Sequence, residues 1–147
     1  MQTVSIKLHR RHAGAVVPAY AHAGDAGFDL CFAGDTSLTL EPGAHRLVPT
    51  GLAMEIPGGF EVQVRPRSGM AAKQGVTVLN APGTIDSGYR GEVQVCLINL
   101  GREPVTLEPG QRIAQGVVAP VTAARFEVVE ELAPSSRGAG GFGSTGA

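Results

Sequence analysis

Charge is scarce in this chain, and helical signal is scarcer. Asp, Glu, Lys and Arg make up 17% of the 147 residues, below the usual quarter or so, and the formal net charge is −1. So small a charge supplies no general field for drawing in nucleic acid or an anionic membrane, although a local basic pocket stays open. No apolar run approaches the roughly 18 residues of a membrane-spanning helix. The N-terminal Met1–Ser5 lacks a basic segment followed by an apolar stretch and does not read as a secretory signal. The two cysteines, Cys31 and Cys96, sit in apolar, strand-like segments. They point to buried free thiols rather than a disulfide and, with no sign of export, to the cytoplasm. His9, His12, His22 and His45 show no zinc-ligand spacing and read as surface histidines.

What is present is a set of short apolar runs rich in Val, Ile, Leu and Thr, punctuated by 21 Gly and 10 Pro. Hydrophobic residues reach 43%, enough for the core of one domain. The expected strands are Val4–Leu8, Phe28–Phe32, Ser37–Leu40, His45–Val48, Leu52–Ile56, Phe60–Val64, Thr77–Leu79, Glu92–Ile98, Val105–Leu107, Arg112–Pro120 and Phe126–Val129. Pro-Gly pairs at Pro42-Gly43, Pro57-Gly58 and Pro109-Gly110 suit type II turns, since Pro presets φ and Gly accepts φ > 0. Thr39-Leu40-Glu41-Pro42-Gly43 recurs as Thr106-Leu107-Glu108-Pro109-Gly110, a reuse of one corner chemistry. The single helical candidate is Gly69–Gln74, with Ser68 as its N-cap. The pattern predicts an all-β sandwich, jelly roll or barrel over residues 1–132 and a flexible, glycine-rich arm over 133–147.

Several segments carry groups able to do chemistry. Gly24-Asp25-Ala26-Gly27-Phe28-Asp29-Leu30 reads as a turn closed by Asp or as an acidic site for a hard cation. Arg65-Pro66-Arg67-Ser68-Gly69 reads as a helix start with surface arginines or as a phosphate cradle of guanidinium and free N–H groups. Asn80–Glu92 is dense in Gly and Pro, and its Asp86 is either a turn residue or a general base. Gln115 is a polar residue inside an apolar strand, solvent-facing or functional. The tail Arg137–Gly146 has glycines that free its N–H groups to wrap an anion, but it lacks the ending and context of a P-loop.

Taken in order, Gly-Asp-Ala-Gly-Phe-Asp-Leu, Pro-Arg-Ser-Gly, Asn-Ala-Pro-Gly-Thr-Ile-Asp-Ser-Gly-Tyr-Arg-Gly-Glu, Arg-Ile-Ala-Gln and Arg-Gly-Ala-Gly-Gly-Phe-Gly-Ser-Thr-Gly resemble the ordered motifs of the trimeric dUTPase family, from Ala23 to Gly146. The resemblance implies a jelly-roll-like β fold, a homotrimer with active sites at subunit interfaces, and Mg²⁺-assisted hydrolysis of dUTP to dUMP and pyrophosphate. That activity keeps uracil out of DNA and supplies dUMP. At matching positions, Asp86 resembles the base that orients the water attacking the α-phosphorus, and Asp29 the acid that holds waters on Mg²⁺. Arg67, Ser68, Gly69 and Gln115 match phosphate-side residues. Asn80 with Gly83, Thr84 and Ile85 resembles the uracil-reading hairpin, and Tyr89 the aromatic beneath deoxyribose. Arg137, Ser144 and Thr145 resemble the arm's γ-phosphate clamp, and Phe142, beside Gly143, the ring that stacks on uracil. Gln94 stands where bacterial members often carry Lys or Met; a main-chain contact is expected there.

The dCTP deaminase family resembles the chain less. Arg67-Ser68-Gly69 replaces its Arg-Ser-Ser, and no suitable Glu follows. A non-catalytic trimeric binding module is the alternative from another class, against which the retained Asp29, Asp86 and arm argue.

Overall fold

Alternation in Phe60-Glu61-Val62-Gln63-Val64 turns Val62 and Val64 into the interior and leaves Glu61 and Gln63 outside. The same alternation recurs at Val76–Val78, Gly83–Ile85, Glu92–Asn99 and Val105–Leu107. The computed structural model describes residues 3–146; Met1 and Gln2 of the expected core, and Ala147 of the expected arm, lie outside the described residues. The order is β1 (Lys7–Arg10), β2 (Gly27–Cys31), β3 (Leu38–Leu40), β4 (His45–Glu55), β5 (Phe60–Arg65), α1 (Ser68–Gln74), β6 (Val76–Val78), β7 (Gly83–Ile85), β8 (Glu92–Asn99), β9 (Val105–Leu107) and β10 (Arg112–Pro120). Two four-stranded antiparallel sheets, β1-β4-β8-β6 and β2-β10-β5-β7, and a β3-β9 pair make the jelly-roll-like all-β fold.

The inward faces meet in one core in which Leu30, Leu40, Leu52, Leu97, Leu107 and Ile113 are fully buried. Each such side chain contributes about 1.5–3 kcal/mol relative to exposure. Two polar residues enter this core and both are satisfied. Thr50 Oγ1 donates to Val93 O at 2.6 Å. Asn99 Nδ2 donates to Leu40 O and Glu103 O at 2.9 and 2.8 Å, and its Oδ1 accepts from Gly101 N–H. Asn99 thereby ties the end of β8 to the β3–β9 corner.

The repeated pentapeptides turn out to be partners. Thr39 lies opposite Thr106, their hydroxyls 3.0 Å apart, and each strand joins a turn with Gly at positive φ, 78° at Gly43 and 83° at Gly110. Ala44 N–H to Glu41 O and Gln111 N–H to Glu108 O close those turns as Pro-Gly predicts. At Pro57 the turn is shifted by one: Gly58 and Gly59 are its central residues, closed by Phe60 N–H to Pro57 O.

Local sequence misplaces several elements. The strands expected at His45–Val48 and Leu52–Ile56 are one, β4, because an irregularity between Pro49 and Ala53 absorbs the residues that separate them: Gly51 takes φ 68° and its N–H reaches Glu92 Oε1. β1 starts at Lys7 rather than Val4, set by pairing with Leu52–Glu55. β6 is Val76–Val78 rather than Thr77–Leu79. β7, expected only as hairpin main chain, is a strand because Gly83–Ile85 pairs with β5. Phe126–Val129 is not a strand; among the described residues no strand pairs with it, and Phe126 and Val128 are exposed. In α1 the N-cap is Arg67, with extended backbone and no side-chain cap, so Ser68 is the first helical residue. Gly75 ends the helix at φ 69°, as an αL cap requires. Both cysteines are free, Cys31 buried and Cys96 half-buried.

Candidate active site

Where β7 and β8 separate, a hollow of about 280 Å³ opens, lined among others by Asn80, Gly83, Asp86, Tyr89 and Gln94. Gly83 pairs with Val64 and packs so closely that a Cβ there would lie 3.3 Å from both Asn80 Nδ2 and Val64 Cβ. The Ala81–Pro82 peptide before it is cis. The loop that follows is braced on main chain. Tyr89 N–H donates to Asp86 O at 3.0 Å and the Tyr89 hydroxyl to Glu92 O at 2.9 Å. Arg90 Nη1 donates to Ser87 O at 2.7 Å. The Tyr89 ring lies across Gly91, where a Cβ would overlap it. The Asp86 carboxylate is exposed, and among the described residues no side-chain hydrogen bond or ion pair engages it. Thr84 and Ile85 also line the hollow.

A second, polar cleft of about 210 Å³ lies beside β2 and the start of α1. Here Asp29 Oδ1 is 3.2 Å from Arg67 Nε and Oδ2 is 3.5 Å from Arg112 Nη1. Ser68 and Gly69 line the cleft, and Gln115 Nε2 donates to Pro66 O at 2.9 Å. The two acids of the Gly24–Leu30 motif part company: Asp25 Oδ2 accepts the His22 N–H at 2.8 Å and closes a turn, while Asp29 faces the arginines. Cys31, next to this cleft, has its thiol pKa raised by burial first and by the Asp29 charge second, with Arg112 and Arg67 partly offsetting.

Arg112 is a member of this cluster that sequence reasoning passed over. In a regular strand Arg112 and Gln115, three apart, would point to opposite faces. A bulge between Arg112 and Ala114 breaks that alternation and brings both to the cleft. The usable signal was the Arg-Ile-Ala-Gln motif itself.

One chain does not gather all the expected residues. Gly83 and Ile85 face the interior side of the β2-β10-β5-β7 sheet, whereas Asp29 and Gln115 lie on its outer face. Ile85 pairs with Val62, so Asp86 follows toward the Phe60 end of β5, roughly 15 Å from its Arg65 end, where Arg67 emerges. Arg137, Phe142, Gly143, Ser144 and Thr145 belong to neither hollow. They form successive local turns, with Arg137 Nε on Gly140 O at 2.8 Å and Phe142 fully exposed at φ 51°.

Comparison with known proteins meets this geometry. The dUTPase family model matches residues 13–146. The chain belongs to the dUTPase family. Relatives named deoxyuridine 5'-triphosphate nucleotidohydrolase include one from Methylocella silvestris, 58% identical with 99% of this chain and 92% of the relative covered. One from Wolinella succinogenes is 53% identical over 99% of this chain and 97% of its own. Among solved structures, a Staphylococcus bacteriophage 80alpha dUTPase with dUPNHPP superposes with TM-score 0.85 at 28% identity, covering 99% of this chain and 100% of that one. A dUTPase from phage phi11 of S. aureus, described with a structural Mg(II) ion, shares the fold at TM-score 0.79 and 22% identity, over 86% and 97% of the two chains.

Within this family member, a hollow at the β7 edge and a charged cleft beside β2 are separate features. For a metal, the donor set matters. Asp29 faces the arginines, Asp25 of the same cleft already accepts the His22 N–H, and among the described residues no cluster of three or more His, Cys, Asp or Glu stands ready to cage an ion. Such a set fits a Mg²⁺ held largely by substrate phosphates and waters, with one protein acid outside them.

Proposed function

We propose that this chain hydrolyses dUTP to dUMP and pyrophosphate by attack of water on the α-phosphorus, in a homotrimer whose active sites combine residues of different chains. The observation that carries the reading is the separation of the two half-sites, which share no lining residue and sit toward opposite ends of β5. A single nucleotide that touches both halves takes the hollow from one chain and the cleft from its neighbour. The arm supports the same picture. From Ala133 on it makes no hydrogen bond to the core among the described residues, and its about 15 residues extend to roughly 50 Å, enough to reach another subunit.

In the hollow, the main chain at Gly83–Ile85 offers uracil a fixed donor–acceptor pattern, with Asn80 beside it and the main chain of Gln94 closing the edge. Cytosine leaves buried polar groups unpaired there, a far larger penalty than a missing methylene. The close packing at Gly83 leaves no space for the methyl of thymine. The Tyr89 ring, held flat by Gly91 and Glu92 O, supports deoxyribose and excludes a 2′-hydroxyl. Asp86, exposed and unengaged, orients the water and accepts its proton. In the cleft, Arg67, Ser68, Gly69 and Gln115 receive the phosphates. When bound, Mg²⁺ neutralises charge on the triphosphate; Asp29 holds its waters. The arm's Arg137, Ser144 and Thr145 clamp the γ-phosphate, and Phe142, with Gly143 freeing its backbone, stacks on uracil, which excludes bulk water. Residues up to 132 form the core domain in this scheme and 133–147 the closing arm. Two free thiols suit the reducing cytoplasm, and no helix among the described residues is long and apolar enough to cross a membrane.

The test incubates the protein and Mg²⁺ with dUTP, dCTP, dTTP and UTP in turn, following pyrophosphate and ammonia. Pyrophosphate from dUTP alone is expected. Ammonia from dCTP would transfer the chain to the deaminases, and dUTP binding without turnover would make it a binding module.

A further inference from the structure

We infer that Gly27 is a positioning residue for the triphosphate half-site, because only a residue without a Cβ lets Gln115 lie across β2 and hold the main chain that carries Arg67, Ser68 and Gly69. This deepens the dUTP-hydrolysis reading above and rests on it.

Gly27 is not a glycine of conformational need, since its φ lies outside the left-handed region and alanine adopts the same backbone. Its constraint is space. In the register of β2 with β10, Gly27 pairs with Val117 and Asp29 with Gln115, so Gln115 is the diagonal neighbour of Gly27. A Cβ on Gly27 would overlap Gln115 Oε1 and lie 3.2 Å from Cδ and 3.6 Å from Cβ. The glutamine side chain is thus folded along its length over the bare α-carbon. That posture aims Nε2 at Pro66 O, 2.9 Å away.

The Pro66 carbonyl is the lever. The proline ring already sets φ of Pro66, leaving ψ as its one soft backbone torsion. A hydrogen bond to the carbonyl oxygen restrains that torsion, and the next residue is Arg67, whose guanidinium meets Asp29 at 3.2 Å. Gly27 therefore acts through Gln115, and Gln115 through Pro66, on the direction in which Arg67 and Ser68 present their donors. Both Gly27 and Gln115 line the same cleft as those donors. An alanine at position 27 meets the far end of a flexible side chain rather than backbone. The fold absorbs it by swinging the Gln115 amide away, and the hold on Pro66 is lost.

The experiment uses the full chain, with Gly27→Ala, Gln115→Ala and the double variant, titrated calorimetrically with an α,β-imido analogue of dUTP and with dUMP in Mg²⁺. Analogue affinity is expected to fall about tenfold in Gly27→Ala, with the double variant no weaker than Gln115→Ala alone. KM for dUTP should rise while kcat changes less than about threefold. The unfolding midpoint should stay within about 2 °C of wild type. The ¹⁵N side-chain amide signal of Gln115 should move toward its free position in Gly27→Ala. Wild-type-like affinity and an unmoved Gln115 signal in Gly27→Ala would overturn the inference alone, as would penalties that simply multiply in the double variant. A wild-type protein that does not bind the analogue would instead overturn the functional reading, and the amide signal would then decide the positioning claim by itself.

Discussion

Around the hollow beside β7, polar contacts run to main chain: the Tyr89 hydroxyl to Glu92 O, Arg90 to Ser87 O, Tyr89 N–H to Asp86 O. In the cleft beside β2, side-chain charge does the holding, with Asp29 between Arg67 and Arg112. A site made of main chain is rigid, and its shape reads a neutral base. A site made of charges is already half-neutralised before any ligand arrives. On the proposed reading, a triphosphate in the cleft would compete with Asp29 for both guanidinium groups. Shape and charge thus occupy separate surfaces, and the exposed segment after β10 belongs to neither.

The largest expected effect attacks Asp86, among the described residues the carboxylate of the hollow that no hydrogen bond or ion pair engages. Asp86→Asn should lower turnover by about a thousandfold while analogue affinity stays within about threefold, because the base is lost and the shape is kept. Unchanged kcat in stopped-flow measurements would break the assignment. Deleting Arg137–Ala147 should cost about a hundredfold in turnover and leave the thermal midpoint unchanged, since these residues make no hydrogen bonds to the core among those described. Full activity of the truncated chain would remove the arm from the mechanism. Asp29→Asn should raise the Mg²⁺ concentration for half-maximal activity about tenfold and barely alter stability, because partly exposed ion pairs contribute at most about 1 kcal/mol. A large drop in midpoint would show that the cleft is a structural element instead.

The smallest effect concerns Cys31 under the cleft. Burial raises its folded-state pKa above the ordinary thiol value. The stability this group contributes is fully present below the unfolded pKa and is lost as pH rises through the folded one. Cys31→Ser should therefore flatten the decline of the unfolding midpoint above about pH 9. At pH 8, Cys31 should react with iodoacetamide only as fast as the protein unfolds.

Legibility differed between the two halves. Asp29, Arg67 and Gln115 were readable as candidates, and through the motif resemblance as one set, because their chemistry is in their side chains. Gly83–Ile85 was readable only as hairpin main chain, since its pairing with Val62–Val64 is a long-range event. Arg112 was missed because a bulge moves it off the face that alternation assigns. Phe126–Val129 has strand composition, but composition supplies no partner strand, and among the described residues there is none. Ser68 had the chemistry of an N-cap, yet the backbone of Arg67 remains extended and takes that position.

By itself the amino-acid order determined the turns, the inward–outward alternation and the absence of long helix. Pro and Gly torsions and the two-residue pleat are local properties, indifferent to what lies across the sheet. Only the tertiary structure decided that Gln115 crosses Gly27, that Asp29 sits between two arginines, and that Asp86 lines a hollow separate from both. Those are matters of register and sheet order, which depend on how the whole core packs and which no stretch of sequence contains.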